Sequence, residues 1–371
     1  MRDDWHREMQ EKFKYLGERL GFKAETEVKI PKGKIDCVWE SKEPISEYFV
    51  AFEFESATTG SQIVENLVKS LSMPLQMRPR FLVQAYKGRL EDINREYVEN
   101  ISSTLPITIK IVDNVGNNVE KASLKIITEL FNWIGEYAGI TMEFLGRLEE
   151  ILGKENIIRV FHYGEPSMSH LKYLDNALRH SCSKNYLLWI KSIPTEKNEN
   201  IILNEFKSLS KYDILILSDI PLKYCNITLL KNFLEKEVRQ EGKSMILTGG
   251  YGLTSEYNKL GEENLGGKIG GRFEKKGTTV KIEKNEYDIG RDLAFKGFNR
   301  FKPIDQDEVI ARWDKDDFPA LVVHRVGRGK IIIFTSDCSP SWGTPSIEST
   351  EFQEMWKQIM DKFILLKNNL D

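Results

Sequence analysis

The first twenty residues carry apolar side chains at helical spacing. The stripe consists of Trp5, Met9, Phe13, Leu16 and Leu20. A repeat of three to four residues predicts an amphipathic helix over residues 3–20, with its apolar face turned to a core. Gly21 suits the end of that helix, because glycine adopts a left-handed backbone at little cost.

Alternation with a period of two follows, which is typical of strands. "KAETEVKI" and "GKIDCVWES" flank the turn "PKGK", and "YFVAFEFES" is a third strand. "GSQIVENLVKSLSM" then returns to helical spacing, and "RPRFLVQAY" is a further strand. The order α-β-β-β-α-β predicts a compact domain built on a mixed sheet.

Residues 120–154 contain two helical patterns separated near Gly139. They predict a helical connector, 121–154, between an N-terminal domain, 1–120, and a C-terminal domain, 155–371. The connector could also offer a surface to a second copy of the chain, which would form a homodimer. The plainer alternative is that each helix packs on its own domain.

The C-terminal pattern is that of an α/β protein. "NIIRVFHYG", "NYLLWIKSI", "KYDILILSDI" and "SMILTGG" read as strands, and helical or loop sequence lies between them. "KYDILILSDI" is nearly all apolar, as expected of a strand covered on both faces. The alternation predicts a parallel, doubly wound sheet.

Composition and charge exclude several classes of protein. The chain has 371 residues, of which 40% are hydrophobic and 29% charged, and its formal net charge is −3. That charge argues against a basic coat for nucleic acid, although a local basic groove remains compatible with it. Without an 18-residue apolar run or a signal-peptide core, we expect no membrane partner. Four scattered cysteines form no CxxC pair, so a reducing, cytoplasmic location is expected.

Three acidic residues interrupt the strand patterns of the N-terminal domain. In "YFVAFEFES", Glu53 and Glu55 share a face with Phe49 and Ala51, at a separation of about 7 Å along the strand. Asp36 shares its face with Val38 in "KIDCVWE". If the two strands pair, three carboxylates lie together, and such oxygen ligands suit Mg²⁺ or Mn²⁺. The alternative is a solvated sheet edge, with Asp36 capping the turn.

An N-terminal helix, then "GKID", then a strand bearing E-x-E, then a helix, resembles the PD-(D/E)XK nuclease superfamily, which includes restriction enzymes. The resemblance covers about the first 115 residues. It implies a restriction-endonuclease-like α/β/α domain in which Asp36 and Glu53 bind the metal. Glu55 would position or deprotonate the attacking water, with help from Gln62 on the next helix.

Glu55 departs from the superfamily pattern, which usually has lysine at this position. A carboxylate can accept a proton but supplies no positive charge to a phosphate. Lys34 is one candidate for that charge, although alternation turns it to the other face. The superfamily often adds a glutamate from the first helix, for which Glu8 and Glu11 are the candidates.

In the C-terminal domain, "ILTGGYG" places a Gly-Gly turn directly after a buried strand. Together with "TSDCSPSWG" and the helix that follows, it resembles a glutamine amidotransferase family of the class I superfamily, from about residue 155 to the end. The resemblance implies a flavodoxin-like fold. Tyr251 stands where a catalytic cysteine is expected, and His324 lacks the usual His-x-Glu pattern, so glutaminase activity is not expected.

A ligand or a partner protein could bind the C-terminal domain at the carboxyl end of its sheet. The candidate residues are Gly249, Gly250, Tyr251, Asp337 and Trp342. Alternatively, Asp337 caps a turn and Trp342 packs the last helix on the sheet.

The leading functional hypothesis is a Mg²⁺- or Mn²⁺-dependent nuclease that acts on nucleic acid, with DNA as the expected substrate. Its second domain would sense a ligand or mediate assembly. One alternative is a non-catalytic scaffold made of two degenerate enzyme folds. Another is a hydrolase in the C-terminal domain, which requires Tyr251, His324 and Asp337 to cluster.

Overall fold

The structure is a computed structural model. It describes residues 4–41, 47–56, 60–72, 79–91, 96, 108–134, 142–181, 186–196, 199–274, 279–283, 285, 287–315 and 317–364. The chain divides into two compact units, Met1–Ile157 and Ile158–Asp371. No helix among these residues is both long and apolar enough to cross a membrane.

The first unit contains four described helices and five described strands. The helices are α1 (Asp4–Leu20), α2 (Gly60–Leu71), α3 (Val119–Ile134) and α4 (Met142–Leu152). The strands are β1 (Lys23–Ile30), β2 (Gly33–Ser41), β3 (Glu47–Glu55), β4 (Phe81–Tyr86) and β5 (Thr108–Val112). The predicted α-β-β-β-α-β order is confirmed and is followed by β5. Helices α3 and α4, where the sequence predicts a connector, belong to this first unit.

The sheet of the first unit is mixed, in the order β1-β2-β3-β4-β5. Strands β1, β2 and β3 are antiparallel neighbours, whereas β3, β4 and β5 run parallel. Helix α1 places the ring of Phe13 against Trp39, Phe52 and Phe54. Ile63 of α2 packs with Val38, Ala51 and Leu82 in a separate apolar cluster. Because β3 is covered in this way, its acidic residues lie inside the protein.

The second unit contains the remaining elements. Its helices are α5 (Met168–Ser181), α6 (Glu199–Phe206), α7 (Ile227–Asn232, continued by a π-helix over Phe233–Gln240), α8 (Glu262–Leu265), α9 (Pro340–Gly343) and α10 (Thr350–Ile359). Its longer strands are β6 (Ile157–Gly164), β7 (Leu187–Pro194), β8 (Ile214–Ser218), β9 (Ser244–Thr248), β10 (Gly267–Glu274), β13 (Gly297–Pro303), β14 (Val309–Arg312), β15 (Pro319–Val326) and β16 (Gly329–Phe334). The short strands are β11 (Val280–Lys281) and β12 (Ala294–Phe295).

The main sheet of the second unit has the order β14-β15-β16-β9-β8-β6-β7. Strands β6, β8, β9 and β16 are parallel neighbours, as the apolar runs predict, while β14 and β15 add an antiparallel edge. The chain goes from β6 to β7 on one side and returns to β8 on the other. The sheet therefore has a topological switch point between β6 and β8, where ligands of open α/β sheets usually bind.

The core of the second unit explains the aromatic residues near the end of the chain. Phe334 of β16 contacts Trp356 of α10, and Phe298 of β13 stacks on Trp313. Both tryptophans are fully buried. Large rings of this kind bury much apolar area, so they stabilise the contact between the last helix and the sheet.

Candidate functional site: two groups of buried carboxylates

Asp36 and Glu53 are neighbours on adjacent antiparallel strands. The register of β2 and β3 pairs Cys37 with Phe52, so the preceding residue on β2 faces the following one on β3. The carboxyl groups of Asp36 and Glu53 are close enough to interact electrostatically, and each side chain is almost completely buried. The pairing assumed from the sequence therefore brings these two predicted residues together.

Donors from helix α1 and the backbone surround Asp36. His6 Nε2 lies 3.0 Å from Asp36 Oδ1, and Gln10 donates its Nε2 to the same oxygen at 2.9 Å. The backbone N–H of Phe54 donates to Asp36 Oδ2 at 2.8 Å. Burial alone would raise the pKa of Asp36, but these partners, His6 foremost, hold that pKa below its usual value. Asp36 is therefore expected to be ionised at neutral pH.

The pKa of Glu53 is shifted in the opposite direction from that of Asp36. Burial raises its pKa well above the usual value, and the negative charge of Asp36 raises it further, while Lys69 lowers it. Glu53 Oε1 is buried and has no hydrogen-bond partner among the described residues. An acceptor in this state is costly unless a proton or a cation occupies the space beside it.

Helix α2 brings a positive charge to the same place. Lys69 Nζ lies 3.8 Å from Glu53 Oε2 and donates to Asn66 Oδ1 at 3.1 Å. Asn66 Nδ2 in turn donates to Glu55 Oε1 at 2.9 Å. Burial raises the pKa of Glu55, while Asn66 lowers it. One turn of α2 therefore connects the cation to both glutamates of β3.

These carboxylates are less tightly grouped than a preformed three-ligand site. Asp36, Glu53 and Glu55 do not bring three ligand atoms within 4.8 Å of one another, a spacing that the described residues reach only in the second unit. Glu55 is turned towards Asn66. The pair formed by Asp36 and Glu53 is thus the centre of this site.

Several expectations about nearby residues are corrected. Lys34 forms an ion pair with Glu27 and does not supply positive charge to Asp36 and Glu53. Glu8 and Glu11 are exposed on α1, and His6 and Gln10 occupy the side of the helix that meets Asp36. The side chain of Gln62 lies outside the described residues. The i, i+4 spacing of His6 and Gln10 was a signal for a shared face, but sequence alone did not connect that face to Asp36.

The Gly-Gly turn of the second unit is held by its backbone. Gly249 N donates to Phe334 O and Ser336 O, both at 2.8 Å, and Gly250 N donates to Asn299 Oδ1 at 2.8 Å. Gly250 has a φ of 126°, and a Cβ there would lie 2.3 Å from Asp219 Oδ1. These amides are therefore occupied, and Gly250 is glycine because Asp219 lies against it.

Tyr251 is a surface residue beside the buried Trp342. Its hydroxyl donates to Glu274 at 2.9 Å, and its ring lies 5.3 Å from that of Trp342. The guanidinium of Arg272 covers the other part of the ring at 4.8 Å. These contacts give Tyr251 a packing role, and its hydroxyl is hydrogen-bonded to the carboxylate of Glu274.

His324 belongs to a different part of the sheet. It lies opposite Ile331 in β16, whereas Asp337 follows the carboxyl end of that strand. Its Nδ1 lies 2.7 Å from Glu308 and its Nε2 2.7 Å from the carbonyl of Glu263. His324, Tyr251 and Asp337 therefore form no common cluster, and the hydrolase alternative is dropped.

A second group of carboxylates was missed by sequence reasoning, except for Asp337. Glu165 follows β6, Asp219 follows β8 and Asp337 follows β16, and one ligand atom of each lies within 4.8 Å of the others. Asp337 accepts hydrogen bonds from the N–H and hydroxyl of Ser339 at 2.9 and 2.7 Å. A signal was available in the sequence, because Glu165 and Asp219 directly follow buried parallel strands and Asp337 lies three residues after another.

This group has few cationic neighbours. Burial and the negative charge of Asp337 raise the pKa of Glu165 to about 10. Burial and Asp337 likewise raise the pKa of Asp219 to about 7, against a weaker opposing effect of Arg272. His170 Nδ1 lies 3.8 Å from Glu165 Oε2. Without a bound cation, the group is expected to hold protons at neutral pH.

We expect the free energy of unfolding in EDTA to decrease as the pH rises from about 5 to about 9. Carboxyls with a raised folded pKa stabilise the protein below their unfolded pKa, and that contribution is lost as the pH rises through the folded value. Urea titrations at several pH values would measure the slope. Glu165→Gln should have a smaller slope, and equal slopes for the two proteins would contradict the prediction.

One part of the chain matches a known protein family. Residues 272–365 match the model of the GATase1_like family, described as "Putative glutamine amidotransferase". The match lies inside the second unit and supports the resemblance inferred for the C-terminal part of the chain. A comparison with curated proteins gives no match.

Three solved structures are among those that resemble parts of this chain. The cytoplasmic protein STM1381 of Salmonella typhimurium LT2 is 16% identical, with a TM-score of 0.43, over 56% of this chain and 99% of its own. The cytoplasmic protein STM3548 of Salmonella typhimurium is 20% identical, with a TM-score of 0.41, over the same shares. A "Putative thua-like protein" of Parabacteroides merdae is 11% identical, with a TM-score of 0.37, over 54% of this chain and 88% of its own.

Proposed function

We propose that the first unit is a metal-dependent nuclease that hydrolyses phosphodiester bonds of nucleic acid, with DNA as the expected substrate. The observation that carries the proposal is the buried oxygen of Glu53, which has no hydrogen-bond partner among the described residues and lies beside Asp36. A structural carboxylate would be expected to have its acceptors satisfied. A buried oxygen without a hydrogen-bond partner among the described residues, beside a second carboxylate, fits a site that binds a ligand.

The donor set fits Mg²⁺ or Mn²⁺. Asp36 and Glu53 offer carboxylate oxygens, and the imidazole of His6 lies beside them as a hydrogen-bond partner of Asp36. When bound, such an ion lowers the pKa of water and offsets the charge that develops on a phosphate. The hydrogen bonds to Asp36 hold this carboxylate in place for that task.

Lys69 supplies the positive charge that Glu55 cannot. Its ammonium group lies beside Glu53, and its side chain is mostly buried between helix and sheet. A phosphate bound at the carboxylates would meet this cation from the side of α2. Lys69 therefore takes the role that the superfamily pattern gives to a lysine on the strand.

Glu55 is suited to accept a proton from the attacking water. Burial raises its pKa, which makes the carboxylate a stronger base, and Asn66 fixes one of its oxygens. In this proposal, its other oxygen accepts the proton of the attacking water. The second unit would bind a ligand or a partner protein, or assemble with a second copy of the chain.

The test is cleavage of single- and double-stranded DNA and RNA by the full chain in Mn²⁺ or in EDTA. Cleavage is expected in Mn²⁺ and should be lost in EDTA. Absence of cleavage, together with equal Mn²⁺ binding by wild type and Asp36→Asn, would favour the non-catalytic scaffold.

The cytoplasm remains the expected location, because the three described cysteines are free thiols.

Lys69→Met is expected to reduce the cleavage rate by about 10²-fold, because a cation beside the reacting phosphate is lost. Lys23→Met is the matched control, since Lys23 is exposed and forms ion pairs with Glu25 and Glu40. Single-turnover rates at saturating Mn²⁺ would compare the two variants. Equal rates in both would show that Lys69 has no part in the chemistry.

A further inference from the structure

We propose that Glu165, Asp219 and Asp337 bind a divalent cation at the carboxyl end of the main sheet in the second unit. This site is separate from the one formed by Asp36 and Glu53. Its cation would be of the hard class, Mg²⁺, Mn²⁺ or Ca²⁺, because all of its ligands are oxygens.

The first argument is convergence. The three acids come from three different strand ends, and one ligand oxygen from each lies within 4.8 Å of the others. Oxygens that share one ion at 2.0–2.6 Å are separated by up to about 5 Å, so the observed spacing suits a common ion. Glu165 and Asp219 also follow β6 and β8, on either side of the topological switch point.

The second argument is the state of Glu165. Its residue exposure is 2%, and neither carboxylate oxygen has a hydrogen-bond partner among the described residues. His170 Nδ1 stands 3.8 Å away, beyond hydrogen-bonding distance, and is itself unpartnered in the described part of the chain. A buried carboxylate in this condition is costly, and a cation between the three acids removes that cost.

The third argument is that hydrogen bonds orient the other two ligands, Asp219 and Asp337. Ser339 donates two hydrogen bonds to Asp337, and the backbone N–H of Gly252 donates to Asp219 Oδ1. Donors of this kind fix the direction of a carboxylate before an ion arrives. The Gly-Gly turn contributes as well, because a side chain at Gly250 would collide with Asp219.

Three protein ligands leave further coordination positions for water or for an anionic ligand. Ca²⁺ takes six to eight oxygens, and Mg²⁺ takes six, several of which are usually water. A bound phosphate or carboxylate could therefore complete the coordination. This gives the second unit a defined ligand chemistry that does not depend on a catalytic cysteine.

The experiment is a Mn²⁺ titration of the full chain, with free Mn²⁺ followed by electron paramagnetic resonance. Asp36→Asn serves as the background, because it removes a ligand of the first unit's site. In that background, Asp337→Asn is expected to weaken the remaining Mn²⁺ binding by about tenfold or more. Glu256→Gln, which changes an exposed carboxylate, is the control and should bind as the background does.

Thermal unfolding separates loss of the site from loss of the fold. In EDTA, Glu165→Gln is expected to melt at a higher temperature than the wild type, because one buried carboxylate is removed. In Mn²⁺, the wild type should gain stability and the variant should gain much less. Unchanged Mn²⁺ binding in Asp337→Asn, or an equal Mn²⁺-induced shift in Glu165→Gln, would overturn the proposal and leave protons as the only occupants.

Discussion

A Glu53→Gln protein is expected to cleave nucleic acid at least about 10³-fold more slowly than the wild type in Mn²⁺. Glu53 has a buried oxygen without a hydrogen-bond partner among the described residues, and both Asp36 and Lys69 lie near its carboxylate. The amide keeps the shape of the side chain but removes the charge that would hold the proposed metal. Rates measured under single-turnover conditions would give the effect directly.

The same substitution should stabilise the metal-free fold. Burial and Asp36 disfavour the ionised form of Glu53, so its replacement by a neutral amide removes a cost of folding. We therefore expect slower cleavage together with a higher melting temperature in EDTA. Glu25→Gln is the control, because Glu25 is half exposed and pairs with Lys23. A Glu53→Gln protein that cleaves like this control would refute the catalytic assignment.

Gly164→Ala is expected to lower the free energy of unfolding by about 3 kcal/mol or more. Gly164 ends β6 with a φ of 148°, and a Cβ on it would lie 1.9 Å from the carbonyl oxygen of Ser218. Ser218 ends the neighbouring strand β8. The Cβ would therefore collide with backbone atoms that are held in the sheet and cannot move aside easily. The close approach is what positions Glu165 next to Asp219.

Gly146→Ala is the matched control for that substitution. Gly146 lies in α4, where a Cβ would meet no atom within 4 Å, and its φ is not positive. Alanine there should raise the free energy of unfolding by about 0.5–1 kcal/mol, since glycine is a poor helix former. Urea unfolding of both variants measures the contrast. A Gly164→Ala protein as stable as the wild type would contradict the strand spacing at β6 and β8.

Local patterns predicted much of the first site. Alternation in "KIDCVWE" and "YFVAFEFES" placed Asp36, Glu53 and Glu55 on inward positions, and all three are buried. The prediction succeeded because a strand's side chains alternate regardless of its partners. Helical spacing in "GSQIVENLVKSLSM" gave α2 for the same reason, and the run of strands and helices gave the mixed α/β character of both units.

The partners of these residues depended on tertiary structure. Lys69 reaches Glu53 only because α2 packs across the sheet, and His6 meets Asp36 across a separation of 30 residues. The group formed by Glu165, Asp219 and Asp337 depends on strand order. That order brings the carboxyl ends of β6, β8 and β16 to the same edge of the sheet. The sequence determined which residues are acidic and which of them face inward, since those are local properties. The packing of elements far apart in the chain decided which acids share a site, because the free energy of that packing comes from long-range contacts that no short segment contains.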